Sequence, residues 1–294
     1  MFQIGHDNFH LDFNIRKNGI CFSNISHKFC SYTTNTENQS ADIKLSLPAG
    51  KKITIYWGDG ASTVITGEVT MTTYSHTYAD IGTYNLTVSG DYNDITYLLF
   101  DGDGSYGGDI KYMPDNLTYV YREGDNTFSG DIIYLSNVTY FRITGQNTIT
   151  GSIINFNRNM YYLKLFGPNT LYGQLKDLPP ALQYLILSGN LDLNGDVASI
   201  PDQVVYFYLY GHNTVSDYTG KTWTTNMSVF KLVPVSPGGL SSAEIDQLII
   251  DLDEDLDWSG GGIIYLTGTN APRTSASDDA VSNIEAEGGT IFTN

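Results

Sequence analysis

Seven segments of this chain begin at Ile95, Leu117, Val138, Met160, Leu182, Val204 and Met227, spaced 22, 21, 22, 22, 22 and 23 residues apart. With each start counted as position one, position four holds Leu98, Val120, Phe141, Leu163, Leu185, Phe207 and Phe230. Position six holds Phe100, Arg122, Ile143, Leu165, Leu187, Leu209 and Leu232, so Arg122 alone breaks these two columns. Position twelve is apolar from Tyr106 to Val215, and position sixteen from Ile110 to Val197. A unit this short cannot bury such faces by itself. Neighbouring units have to stack and share one core, which limits the region to a solenoid.

The remaining columns describe how the coil turns. Gly stands at position eight in six units (Gly102 to Gly211), where the chain must bend sharply, and at position fourteen in five (Gly108 to Gly195). Asn at position ten (Asn126, Asn147, Asn169, Asn213) is expected to turn inward, satisfying backbone groups of the bend and passing hydrogen bonds between coils. The segment Leu182-Gln183-Tyr184-Leu185-Ile186-Leu187-Ser188-Gly189-Asn190 resembles the leucine-rich repeat. In most other units Asn falls one place later than in that family and Tyr or Phe replaces Leu, so a leucine-rich-repeat-like coil and a parallel β-helix both stay open.

Position three is Tyr97, Tyr119, Tyr140, Tyr162, Tyr184 and Tyr206. Next to the buried position four, it should face outward from a parallel sheet and form a ladder of rings about 4.8 Å apart. Position five shares that face and includes Tyr121, Arg142, Lys164, Tyr208 and Lys231. Tyr is a good strand former, and stacked pairs stabilise a sheet by about 0.2–1 kcal/mol each. The same column also offers apolar ring faces with polar tips, a platform suited to glycan or protein. The candidate ligand-binding residues are therefore Tyr97, Tyr119, Tyr140, Tyr162, Tyr184, Tyr206, Tyr121, Tyr208, Arg142 and Lys164.

Ahead of the repeats, ADIKLSLPAGKKITIYWGDGASTVITG alternates apolar and polar residues and breaks at Pro48-Ala49-Gly50 and Gly58-Asp59-Gly60, as antiparallel strands and turns do. Trp57-Gly58-Asp59-Gly60, His76-Thr77-Tyr78 and Gly82-Thr83-Tyr84 follow in an order that resembles the PKD domain, an immunoglobulin-like sandwich. The resemblance implies a spacer or adhesion module, with Trp57 as a core plug and Asp59 and His76 in structural roles.

After Pro234 the period is expected to fail. SSAEIDQLIIDLDEDL reads as a helix capped by Ser241 or Ser242, GGIIYLTG as a buried strand, SASDDAVSNIEAEGG as a second helix and TIFTN as a last strand. This C-terminal cap looks like those after such repeats in Bacteroidetes and bacteriophage proteins. Residues 1–40 hold two strand-like runs, FHLDFNI and GICFSNI, then a polar linker, TTNTENQS. Cys21 and Cys30 form either a disulfide or two buried thiols. The expected architecture is mainly β: an N-terminal β segment over 1–40 acting as a docking element, a PKD-like β-sandwich over 41–91, a leucine-rich-repeat-like solenoid over 92–234 and an α/β cap over 235–294.

Charge narrows the partners. Fifteen basic against thirty-two acidic residues, a formal charge of −17, disfavour nucleic acid and anionic lipid. No apolar run is long enough to span a bilayer. The start, MFQIGHDNFHLDF, lacks the basic and apolar regions of a secretory signal. The chain is thus expected to leave its cell without such a signal, after losing one, or inside a larger particle. His6 and His10 are unsuited to a metal in a strand-like setting, Asp101 and Asp103 read as a solvated turn, and Asp251, Asp253, Asp255 and Asp257 as a solvated acidic rim. No catalytic grouping, phosphate loop or metal motif is present, so neither an enzyme nor a cofactor is expected. The reading is a virion structural protein of a bacteriophage, a fibre or decoration component docked on other virion proteins through residues 1–40 and attaching to a host-surface glycan or protein. The alternatives are a bacterial cell-surface adhesin and, further off, a polysaccharide-degrading enzyme; homo-oligomerisation stays open.

Overall fold

The structure, a computed structural model, describes residues 10–16, 19–68, 70–225 and 227–294, with side chains from residue 26 onward. It forms two compact units, Met1–Ser129 and Gly130–Asn294.

In the first unit, β1 (His10–Arg16) pairs antiparallel with β2 (Gly19–Thr33). Next come β3 (Gln39–Ser46), β4 (Lys52–Tyr56), β5 (Ser62–Thr66), β6 (Thr72–Tyr78) and β7 (Thr83–Gly90). β8 (Tyr97–Gly102), β9 (Ser105–Asp109), β10 (Tyr119–Arg122) and β11 (Thr127–Asp131) belong to the repeats. Two antiparallel sets emerge: β4 pairs with β5 and β7, and β7 with β2, while β3 lies between β6 and β8. The alternation of ADIKLSL is realised directly: Ala41, Ile43 and Leu45 are buried and their neighbours are not. Trp57, Ile53, Ile55, Leu86 and Val88 complete the interior.

Both sets run on into the repeats. β3 pairs antiparallel with β8, which pairs parallel with β10; β2 pairs antiparallel with β9, which pairs parallel with β11. The first coil of the repeats is therefore sealed edge-on by β2 and β3, which removes an otherwise open sheet edge. Two expectations change as a result. Ser26–Thr33, assigned to a separate docking element, pairs into the sheet with β7 and β9. The stretch read as a polar linker is a tight connection in which buried Thr34 donates to Asp80 O and accepts from Gly82 N–H at 2.8 Å. Cys21 and Cys30 both lie in β2. Nine extended residues set them about 30 Å apart, far beyond disulfide reach. Cys30 is a buried free thiol; the Cys21 side chain lies outside the described residues.

The second unit contains β12 (Tyr140–Ile143), β13 (Thr148–Ser152), β14 (Tyr162–Gln174), β15 (Tyr184–Asp196), β16 (Tyr206–Asp217), β17 (Val229–Val235), α1 (Ser242–Asp255), β18 (Gly262–Leu266), α2 (Asp278–Glu287) and β19 (Gly289–Thr293). β12, the first halves of β14 to β16, and β17 to β19 make one parallel ladder; β13 and the second halves of β14 to β16 make another. Short 3-10 turns that bury Ile153, Leu175 and Val197 return the chain from one ladder to the next coil. This is a leucine-rich-repeat-like solenoid. Its column residues Leu163, Leu165, Leu185, Leu187, Phe207 and Leu209 are wholly enclosed. Burial of each contributes about 1.5–3 kcal/mol.

The polar columns work as backbone couplers. Asn169 is fully buried; its Oδ1 accepts from Ile149 N–H of the preceding coil at 3.0 Å and its Nδ2 donates to Gly167 O of its own bend. Asn147 Nδ2 reaches Phe166 O of the following coil at 3.1 Å. Gly211 shows why position eight excludes side chains: its φ is +113°, and a Cβ there would lie 2.3 Å from Gly189 O.

The ladder does not stop at residue 234, as the broken period suggested. β17 pairs in register with β18 (Lys231↔Tyr265) and β18 with β19 (Tyr265↔Phe292). After β18, Gly268 (φ +77°) and buried Asn270 repeat the bend, with Asn270 Nδ2 donating to Leu232 O at 2.8 Å. The inserted helices lengthen these coils and hide the period. Ser241 caps α1 in a reciprocal box with Glu244, and Gly288, left-handed at φ +113°, ends α2.

Candidate functional site: the outward face of the parallel ladder

Alternation along each strand sends position four inward and position three outward. Phe141, Leu163, Leu185 and Phe207 are buried, while Tyr140, Tyr162, Tyr184 and Tyr206 are half-buried on the other side. The register pairs Tyr140 with Tyr162, Tyr162 with Tyr184, and Tyr184 with Tyr206. Their ring centroids lie 4.4, 5.2 and 6.3 Å apart with interplanar angles of 19°, 29° and 26°. The stack therefore loosens along the chain. In the first unit Tyr97 and Tyr119 are paired in register and stacked at 4.2 Å and 10°.

Position five is less uniform than its sequence suggests. Arg142 lies 6.0 Å from the Tyr162 ring centre and Lys164 5.6 Å from that of Phe166. Ile186 is only 8% exposed, so it is buried rather than presented on the face. Tyr208 is half-buried, and burial first, then neighbouring tyrosines, push its phenol pKa upward. In the first unit Tyr121 is half-buried, with its hydroxyl 3.3 Å from Glu123 Oε2.

Two members of this face, Tyr265 and Phe292, escaped the sequence reading. The Lys231 ammonium lies 5.7 Å from both the Tyr208 and Tyr265 ring centres, and Tyr265 is 5.0 Å from Phe292. Tyr265 and Phe292 occupy position five of the two helix-containing coils. The visible signal was the sequence IIYLTGTN, which repeats the strand, bend glycine and asparagine of the earlier coils. Beside the sheet, at the bend, Gln146, Pro168, Asn190, Tyr210, His212 and Val235 line a shallow groove of about 420 Å³. In a chain with thirty-two acidic residues, positions three, five and seven of every second-unit rung, from Tyr140 to Asn294, hold no Asp or Glu.

Several other singled-out residues have local partners. His76 Nε2 and Asp59 Oδ2 are 2.7 Å apart, and the His76 ring stacks on Trp57 at 5.1 Å. Burial would raise the Asp59 pKa, but hydrogen bonds from Ala61 N–H and His76 outweigh it and hold the carboxyl below its ordinary value. The expected acidic rim is in part a clamp: Asp251 accepts from Tyr218 O–H at 2.6 Å and Asp255 from Trp223 N–H at 2.8 Å, while Asp253 accepts from Asn283; Asp255 and Asp257 are exposed, as expected of a rim. Their i, i+4 spacing puts Asp251 and Asp255 on one helix face, a cue the linear pattern concealed. Asp101 lies near the end of β8 rather than in a turn; it is exposed, its Oδ1 accepts from Gly102 N–H, and Arg122 lies 3.7 Å away, while the His6 and His10 side chains lie outside the described residues. Among the described residues no group of three or more His, Cys, Asp or Glu could hold a metal ion, and no helix is long and apolar enough to cross a membrane.

No family model matches this chain, and no curated protein matches it. Among solved structures it is similar to the plant peptide hormone receptor RGFR1 in complex with RGF2, at 15% identity and a TM-score of 0.36 over 63% of this chain and 34% of that one. The likeness thus spans about a third of the receptor's length. The solenoid stands on the register of its own ladders.

Proposed function

We propose that this chain is a non-enzymatic surface component of a bacteriophage virion, a fibre or decoration protein, whose solenoid presents the aromatic ladder face to a host-surface glycan or protein. The observation that carries the attachment reading is the half-buried stack of Tyr140, Tyr162, Tyr184 and Tyr206 on second-unit rungs whose outward positions hold no Asp or Glu. Rings held at fixed spacing by a rigid sheet lose little entropy on binding, and each offers an apolar face with a polar tip. The reading of residues 41–91 as a PKD-like module belongs to the same proposal. It is supported by the cluster of Trp57, Asp59, His76 and Tyr78, in which Tyr78 O–H donates to Trp57 O at 2.8 Å. Placement in a virion rests on the resemblance of this succession of modules to surface proteins of Bacteroidetes and bacteriophages, and docking through the chain's first residues is part of that placement.

The test is a glycan array and a host-cell binding assay, comparing the wild type with a folded Tyr140→Ala, Tyr162→Ala, Tyr184→Ala variant. Loss of binding in the variant supports attachment through the ladder. Equal binding by both removes the ladder from the account. Antibody labelling of purified particles from a lysate tests the virion assignment, and unlabelled particles overturn it.

A further inference from the structure

The far end of the same face has a composition of its own. Lys231 on β17 lies in register between Tyr208 on β16 and Tyr265 on β18, with its ammonium 5.7 Å from each ring centre. Phe292 on β19 extends the row and is 46% exposed. Three other cations of this unit are paired with carboxylates: Lys176 has Asp177 at 3.6 Å, Lys221 has Asp202 at 2.6 Å, and Arg273 has Asp278 at 2.5 Å. Among the described residues no carboxylate lies within 4.0 Å of the Lys231 ammonium.

We propose that Lys231, framed by Tyr208, Tyr265 and Phe292, is a subsite for the carboxylate of an acidic sugar, so that the glycan recognised by this face carries uronic acid units. This rests on the attachment reading and specifies its ligand. The two rings flank the ammonium without consuming its hydrogen bonds, leaving donors for a carboxylate. Tyr265 and Phe292 give adjoining apolar faces for the C–H side of a pyranose ring. The carboxylate of a uronic acid is attached to that ring, which matches a cation set between aromatic groups. The −17 net charge does not forbid such a ligand, because distant charges are screened over about 10 Å at 0.1 M salt. At contact, the ligand meets Lys231 and no carboxylate of the sheet face.

The experiment compares binding of the full chain to oligogalacturonate and to its fully methyl-esterified form, which keeps the rings and removes the charge. The wild type is expected to bind the acid about tenfold more tightly than the ester, the range of one charge-assisted contact. Lys231→Gln should abolish that preference with an unchanged circular dichroism spectrum, Lys231→Arg should retain it, and Tyr265→Ala with Phe292→Ala should weaken both ligands. Equal affinity of the wild type for acid and ester overturns the inference. So does failure to bind either while host cells are still bound through the ladder, and in both cases the attachment reading stands. Failure to bind any glycan or host cell removes the attachment reading itself.

Discussion

The Arg122 guanidinium donates to the Gly104 carbonyl at 2.7 Å. Position ten of the first coil is Gly104 where four other coils carry asparagine, and the residue that breaks the apolar column one coil later supplies the missing donors. Arg122 also reaches Gly102 O at 3.4 Å and Asn126 Oδ1 at 3.0 Å, and it is 6% exposed. These two departures from the repeat thus compensate each other.

Replacing Arg122 with Leu restores the column's apolar character but leaves Gly104 O and its neighbours without donors. We expect a loss of about 2 kcal/mol or more despite removal of a buried charge. Urea denaturation of the variant beside the wild type measures it, and an unchanged midpoint contradicts the compensation.

Gly211→Ala places a methyl group 2.3 Å from Gly189 O at φ +113°, whereas Gly60→Ala meets nothing within 4 Å at φ +99°. Both incur the backbone penalty of about 1 kcal/mol, but only the first also forces two coils apart. Thermal melts should show a clearly larger fall for Gly211→Ala; similar falls would mean that close coil stacking is not what selects glycine there.

Asn169→Ala removes a buried acceptor from Ile149 N–H and a donor to Gly167 O. A cost of about 2–4 kcal/mol is expected from two orphaned backbone groups and the void. Amide hydrogen exchange should report it locally, with Ile149 N–H losing protection first.

Asp246 on α1 is 5% exposed and accepts from Thr274 O–H at 2.6 Å, Thr274 N–H at 2.9 Å and Ser277 O–H at 2.7 Å, linking α1 to the start of α2. Burial alone would raise its pKa; these hydrogen bonds outweigh it and hold the carboxyl below its ordinary value. A depressed folded pKa means that the stabilisation is fully present above the unfolded value, near pH 4, and is lost as pH falls through the folded value. Asp246→Asn should therefore be less stable at neutral pH, with the gap narrowing as solutions are acidified below pH 4. A gap that stays constant with pH would contradict the assignment.

How much could be read without coordinates differs from element to element. The solenoid was legible because burial of position four and bending at position eight recur with every coil, and recurrence turns weak local preferences into a pattern. The outward tyrosines followed from the two-residue alternation of a strand. Lys231 and Tyr208 were visible in their column, but Tyr265 and Phe292 were not, because α1 and α2 space the successive strands at Val229, Ile263 and Thr290 by 34 and 27 residues and erase the period. Likewise Asp251 and Asp255 read as a solvated run, since nothing in a linear acidic stretch names the loop that will fold against it.

The sequence alone determined the repeating unit, the direction of its side chains and the segregation of charge, all properties of local spacing in a stacked chain. Tertiary structure decided which edges meet: that Ser26–Thr33 joins the first unit's sheet, that Arg122 stands in for an asparagine, and that Lys231 sits between Tyr208 and Tyr265. Those are contacts between residues 18 to 76 positions apart in the chain, and only the geometry of backbone hydrogen bonding between strands can bring them together.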